Sequence, residues 1–452
     1  MRLNPILMVV GGILLFTCSQ RNSNSPHSSP ESQSGESILK NMGDRYIVFL
    51  DSTIATPIAK DANNWTLAGD TLLDKRDKSF QKVRNFISSN NLSGIANLRI
   101  YVNVAVAFFA NMTEAEAAQT RGRAGVLAVI KDVTIQGRPI QQGRPIQQGR
   151  PIQQGEDWGL TSSDGDCLTS CAVVRAGGAE DGSASTRSIW VVDTGIAYGH
   201  PALNIDQSHA VNFTVDPVSS RADDDNGHGT IIAGIAAAKQ IAWDQEHKIC
   251  IGVSTGARVV PIKVLDREGI GAWSSVVAAL DTIAWMSTSG DVINLSLGDY
   301  PVPGCNTGDM VGLRLALTNA ASKNFVVIAA GNNGGDAGES VPGCIKGPNL
   351  YTVTAVDCNK SCPEFSNFGK SVDFAAVGTN MLVPTLQNSD GDWEYSVVDG
   401  TSMATAVVSG LIHSAGSAPK KGDKICCGER CPGSGSSFTL NLATRPTRSN
   451  QD

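Results

Sequence analysis

Between Trp158 and Ser414 the chain alternates short runs of Val and Ile with alanine-rich stretches of helical length, and this pattern most constrains its fold. The apolar runs are Ser188–Val192, Val259–Val264, Val292–Leu297, Phe325–Ala330 and Leu350–Val356. The helical stretches between and after them are Thr230–Ala238, Ser274–Met286, Asp309–Lys323 and Ser402–His413. Apolar runs of this kind suit strands buried on both faces, and strands alternating with helices form parallel sheets through βαβ crossovers. The expected fold class is α/β, a mostly parallel sheet flanked by helices. Ligand sites on such sheets lie at the carboxyl ends of the strands.

A chain of 452 residues is too long for one ordinary core and suggests two or three domains. Residues 45–135 read as a small α+β unit. It has a strand at Tyr46–Leu50, a helix near Lys78–Ser88, strands through Leu98–Ala110, a helix from Thr113 and a closing strand in Gly125–Ile135. Thr113 with Glu116 makes a capping box at the second helix. Residues 136–156 hold Gly-Arg-Pro-Ile-Gln-Gln three times in tandem, from Gly137, Gly143 and Gly149. With a proline in each copy and little to bury, this segment reads as a solvated linker. The α/β unit then spans residues 157–414, and residues 415–452 form a Cys- and Ser-rich tail.

Thirty-six basic and 43 acidic residues give a net charge of −7, with no basic block to hold a phosphate backbone, so nucleic acid is not an expected partner. Arg2 precedes 13 uncharged residues, Pro5 to Thr17, which suits a secretory signal over residues 1–18 and is too short to span a bilayer. A polar linker follows over residues 19–44. Leu15-Phe16-Thr17-Cys18 resembles a bacterial lipoprotein cleavage site, so lipidation of Cys18 and attachment to a membrane is one reading and simple secretion the other. Ten of the 11 cysteines follow Cys18, and an even number suits an exported, disulfide-bonded chain. Connectivity does not follow from the sequence; Cys305 and Cys344, in Gly/Pro-rich loops, are one candidate pair.

Three polar residues stand at glycine-flanked element ends. Asp193 closes Ile-Trp-Val-Val-Asp, His228 opens a helix in Asn-Gly-His-Gly-Thr, and Ser402 enters another in Gly-Thr-Ser-Met-Ala. Each alone has a plainer reading: a turn residue, a core histidine, a helix N-cap. Together they supply an acid, a base and a nucleophile.

Asp193-Thr-Gly, Gly-His228-Gly-Thr and Gly-Thr-Ser402-Met-Ala resemble, in the same chain order, the signature segments of the subtilisin-like serine proteases, the subtilase family. Asn294-Leu-Ser-Leu-Gly298 and Ala329-Ala-Gly-Asn332 match two further segments of that family. The resemblance implies a serine endopeptidase in which His228 activates Ser402, Asp193 orients His228, and Asn332 with the Ser402 N–H binds the oxyanion. Ser296, Leu297 and Gly298 would pair with extended substrate, and Ala329, Ala330 and Gly331 would line the P1 pocket. It also implies that residues 45–135 are an inhibitory propeptide, with Asp157-Trp158-Gly159-Leu160 near the start of the mature chain. Protein or peptide substrates and the propeptide are the implied partners. The chemistry needs no cofactor; structural calcium is an option at Asp223-Asp224-Asp225, where a solvated acidic loop is the alternative.

Ala406 and Ile231 replace a proline and a histidine common in the family, and neither removes an atom of the triad. Two rival readings are a binding protein that retains the fold without catalysis, and an esterase built on Gly252-Val-Ser254-Thr-Gly256. The latter motif needs a strand before it and a helix after it. Here a strand is expected to follow.

Overall fold

The computed structural model describes residues 45–58, 66–67, 70–93, 99–137, 141–147, 160–162, 167–214, 221–243, 247–301, 305, 310–427 and 438–445. The signal stretch, Cys18, Cys431 and Asp157 lie outside them.

The N-terminal unit is built on Arg45–Leu50 (β1), whose sequence Arg-Tyr-Ile-Val-Phe-Leu offers no polar face. Helices Leu72–Ser89 (α1) and Glu114–Arg121 (α2) cover one side of its sheet, where Tyr46, Val48 and Leu50 pack with Val83, Phe86, Ile87 and Ala117. Strands Arg99–Tyr101 (β2), Ala107–Asn111 (β3) and Val126–Lys131 (β4) complete an antiparallel sheet in the order β2-β3-β1-β4. The capping box at Thr113 and Glu116 forms.

One strand lies where a linker was expected, Gln141–Gln147 (β6) of the hexapeptide repeat; it and Thr134–Gln136 (β5), at the end of the N-terminal unit, both pair with the larger unit. Pro and Gly weaken a strand's own propensity, and Pro is tolerated at a sheet edge. A neighbour with an open edge therefore decides the conformation of this segment.

The larger unit has strands Ser188–Asp193 (β7), Arg258–Lys263 (β8), Ile270–Ala272 (β9), Val292–Leu295 (β10), Phe325–Ala329 (β11), Leu350–Val356 (β12), Phe374–Val377 (β13), Met381–Gln387 (β14) and Trp393–Asp399 (β15). Its main helices are His228–Ala237 (α3), Trp273–Met286 (α4), Val311–Ala320 (α5) and Thr401–Ala415 (α6). The central sheet runs β8-β7-β10-β11-β12-β13, all parallel. The chain moves outward from β7 to β8 and then returns to the other side of β7, so the sheet's switch point lies beside the end of β7.

Strand alternation divides the core in two. Ile189, Val191, Val259, Val327 and Val353 pack toward α3 and α6; Trp190, Val192, Val260, Ile293, Val326 and Ile328 pack toward α4 and α5. The free face of the N-terminal sheet closes over α4 and α5, burying Ile47, Phe49, Tyr101 and Phe109 in that second core. Gly312 in α5 makes the approach possible, since a Cβ there would stand 2.2 Å from the Phe49 ring. Polar contacts fix the register. Asp281 in α4 accepts from the amides of Asn103 at 2.6 Å and Val104 at 3.1 Å, and Asp132 accepts from the Ser274 amide at 2.9 Å in the first turn of α4. Burial pushes the Asp281 carboxyl up to about 6 against the pull of those donors.

The expected tail is part of the sheet. Lys420–Cys427 (β16) and Phe438–Thr444 (β17) pair antiparallel, and β17 joins β13 in parallel at Ala375 and Leu442. Ile425, Leu440 and Leu442 pack there against Val356 and Ala375, a pattern too short to stand out among the surrounding Cys, Gly and Lys. The disulfides are Cys167–Cys250, Cys171–Cys358, Cys305–Cys344 and Cys362–Cys427. Among the described residues no helix is long and apolar enough to cross a membrane.

Phe49→Ala empties a fully buried site between the two units, and the expected cost is about 3–5 kcal/mol. Denaturant unfolding of full-length Ser402→Ala protein, with and without this change, measures it. Gly312→Val should move stability in the same direction by displacing the same ring.

Candidate active site

Each site residue owes its place to a different element. Asp193 is the last residue of β7 and is wholly buried. His228 is the first residue of α3, and its backbone is set by Gly227 at φ 108°, a left-handed conformation that glycine adopts without strain. Ser402 is the second residue of α6, whose N-cap is Gly400, so Ser402 is not the cap that its position alone suggested. Helices α3 and α6 pack side by side on one face of the sheet, and the bond His228 Nδ1–Asp193 joins the start of α3 to the end of β7.

The histidine is held by a short buried bond. His228 Nδ1 lies 2.7 Å from Asp193 Oδ1, and the same oxygen accepts from the Thr194 amide at 2.7 Å. Facing a carboxylate, Nδ1 carries the proton, which leaves Nε2 as the acceptor. Burial opposes charging of the ring, but the Asp193 carboxylate, with Asp224 behind it, outweighs that and holds the His228 pKa above its ordinary value.

Asp224 is the residue that the sequence reading did not place in the site. Its Oδ1 accepts from Thr194 Oγ1 at 2.8 Å and the Gly227 amide at 2.9 Å; its Oδ2 accepts from the Thr230 amide at 2.9 Å and Thr230 Oγ1 at 2.6 Å. It thereby ties the turn after β7 to the start of α3. Asp223 accepts from the Tyr198 amide at 2.8 Å, and Asp225 pairs with Lys263 at 2.6 Å. The three carboxylates considered for calcium thus spend oxygens on protein donors, which does not fit a shared cation. Among the described residues no group of three or more His, Cys, Asp or Glu is placed to hold a metal ion. The signal for Asp224 was present in Asp-Asp-Asn-Gly-His, but three adjacent aspartates hid which one faces inward.

A cleft of about 310 Å³ opens at Ser402. Ser296, Leu297, Gly298, Ala329, Gly331 and Asn332 line it together with Ser402. Ala330 does not: alternation along the chain after β11 turns it away, and it is buried with Ala337, Val356 and Ala375. The lining also includes Gln136, from the end of the N-terminal unit, which bridges Gly298 in antiparallel fashion.

Asn332 is oriented by its oxygen, which accepts from the Thr401 amide at 2.9 Å and Thr401 Oγ1 at 2.8 Å. That leaves Nδ2 free to point toward the helix start. A Cβ on Gly400 would stand 3.5 Å from Asn332 Nδ2 and 3.7 Å from the Ser402 nitrogen, so both donors border one small space. Ser402 Oγ is turned to the Ser296 carbonyl, 3.4 Å away. The chemistry available is a base on an oriented imidazole, a hydroxyl at a helix N-terminus and two N–H donors converging on one point.

Ser254 lies apart from this site. It is completely buried, its hydroxyl is 2.7 Å from His413 Nδ1, and strands rather than a helix follow it. No substrate reaches a serine so enclosed, and the esterase reading has no open nucleophile.

Residues 185–419 match the Subtilase family. Subtilisin-like protease 1 of Pseudogymnoascus destructans is 33% identical over 234 residues, 51% of this chain and 52% of that protein. The thermophilic serine proteinase of Bacillus sp. strain AK1 is 35% identical over 232 residues, 50% of this chain and 51% of its own. The alkaline serine protease ver112 of Corniculantispora psalliotae is 28% identical over 360 residues, 78% of this chain and 82% of its own. The chain thus spans about half the length of the first two.

The chain has six histidines, few enough to follow separately by NMR. In Ser402→Ala protein, His228 should titrate above the ordinary imidazole value of about 6.5, and Asp193→Asn should lower its pKa, because only the Asp224 carboxylate is then left to oppose burial.

Proposed function

The chain belongs to the subtilase family, and from this we propose that it is an exported serine endopeptidase made as a self-inhibited precursor. The observation that carries the reading is the buried 2.7 Å Asp193–His228 bond at the start of the helix packed against the one that bears Ser402.

In this reading Ser402 Oγ turns from the Ser296 carbonyl to His228 Nε2 and attacks the substrate carbonyl carbon. His228 takes the hydroxyl proton, and Asp193 stabilises the imidazolium without itself being protonated. The Ser402 N–H and Asn332 Nδ2 hold the oxyanion. His228 then protonates the leaving amine, the acyl-enzyme forms, and water reverses the sequence to free the acid. Segment 296–298, just after β10, offers its backbone to extended substrate. Small residues at Ala329 and Gly331 leave room for a large P1 side chain.

The N-terminal unit serves as the inhibitor. Its support is the shared core with α4 and α5 and the entry of Gln136 into the cleft. Four disulfides and the Pro5–Thr17 stretch support passage to an oxidising compartment.

A fluorophosphonate probe should label processed wild-type protein at Ser402 and leave Ser402→Ala unlabelled; absence of labelling on folded, processed wild type would favour a binding protein. Asn332→Ala should lower kcat by ~10²–10³, a scale that comes from the equivalent donor in subtilisin and not from this structure. Because neutral His228 is the base and its pKa is raised, kcat/KM should climb with pH through a midpoint above about 6.5.

A further inference from the structure

The loop that carries Asn332 is shaped from outside. Residues 330–335 read Ala-Gly-Asn-Asn-Gly-Gly, and Gly331 (φ 106°) and Gly334 (φ 69°) take left-handed conformations. One residue of a neighbouring segment wraps around this stretch. Asn367, wholly buried, donates from its amide to the Gly331 carbonyl at 2.9 Å and from Nδ2 to the Ala330 carbonyl at 3.0 Å. Its Oδ1 accepts from the amides of Asn333 at 2.9 Å and Gly335 at 3.0 Å. The approach is close, since a Cβ on Gly331 would stand 2.4 Å from Asn367 Nδ2. Asn332, whose Nδ2 borders the same space as the Ser402 nitrogen, sits in the middle of these bonds.

Asn367 is itself held on the side away from the cleft. Its carbonyl accepts from Thr354 Oγ1 on β12, and the next amide, Phe368, donates to the Gly335 carbonyl at 3.0 Å. Ala330 and Phe368 share one apolar cluster with Ile425, Leu440 and Leu442 of the β16–β17 hairpin. The methyl of Ala330, turned from the cleft, is thus part of the surface that the hairpin covers. Two side-chain links tie β16 to the segment leading to Asn367: the Cys362–Cys427 disulfide and the Lys360–Asp423 ion pair. The ion pair is partly exposed and adds little; the disulfide is the stronger tie. The hairpin lies beyond residues 185–419, the stretch that marks the family.

We propose that the C-terminal hairpin and Asn367 are positioning elements for catalysis: the hairpin holds segment 362–368, Asn367 holds the loop, and the loop aims Asn332 Nδ2 at the oxyanion. This rests on the endopeptidase reading above. Neither element touches substrate. Both act through a donor that matters most when negative charge develops on the carbonyl oxygen, so their effect falls on the transition state and not on ground-state binding. A hydrogen bond weakens steeply once its length and angle leave the optimum. A loop released from Asn367 or from the hairpin therefore loses turnover while substrate affinity is kept.

Kinetics of processed protein on a peptide p-nitroanilide separate positioning from general stability. Asn367→Ala, and Cys362→Ser together with Cys427→Ser, should each lower kcat by ~10-fold with KM within ~2-fold, a part of the scale given above for loss of the whole donor. Ile425→Ala, which leaves the disulfide in place, should act in the same direction to a smaller extent. In an Asn332→Ala background each change should lower kcat by less than ~2-fold further, because the donor it positions is gone. Equal losses in both backgrounds, or no loss beside intact Asn332, overturn the proposal. Hydrogen exchange on full-length Ser402→Ala protein tests the same contacts without catalysis. The amides of Asn333 and Gly335 should exchange ~10-fold faster when both cysteines are replaced, with β7 unchanged as the control for folding. Unchanged exchange at both amides also overturns it. Folded, processed wild type that hydrolyses no peptide would instead count against the endopeptidase reading, and the exchange result would still decide whether the hairpin holds the loop.

Discussion

The site depends on how closely the start of α3 can approach the turn that follows β7. A Cβ on Gly229 would lie 2.0 Å from the Gly195 carbonyl oxygen, so any side chain there would force the two elements apart. With glycine in place, Thr194 Oγ1 reaches the Gly229 amide at 2.9 Å, and Asp224 closes the ring from the other side. The short Asp193–His228 bond is the product of this backbone contact. An imidazole so placed keeps one tautomer, which a base acting in a dry site requires. The glycines in Asp-Thr-Gly and Gly-His-Gly-Thr therefore set this geometry as much as the side chains between them do.

Much of the architecture could be read from periodicity. Runs such as Ser-Ile-Trp-Val-Val-Asp have no polar face, and the structure buries them on both sides. The α/β class, the strands of the central sheet and the capping box at Thr113 all rested on local rules that packing did not overturn. Asp193, His228 and Ser402 stood out because each sits at an element end marked by glycine, where a motif is contiguous in sequence.

What escaped was non-local. The Gly/Pro-rich repeat carries no strand propensity, and its conformation comes from the open edge of β15, some 250 residues away in the chain. The strands near Ile425 and Leu440 likewise become apolar elements only when Val356 and Ala375 lie beneath them. Ala330 was placed in the cleft as part of a contiguous motif, although alternation sends its methyl elsewhere. Asp224 was read as one of three equivalent carboxylates, and only its surroundings distinguish it. For the repeat and the tail strands the deciding neighbour is distant in sequence, and composition says nothing of it.

The N-terminal sheet is apolar on both sides, with Ile47 and Phe49 turned outward from its own helices. Such a subdomain has no water-compatible exterior of its own on that side. Under the inhibitory role proposed above, separation from α4 and α5 would expose those rings and make the unit prone to unravel, so that its release would run in one direction.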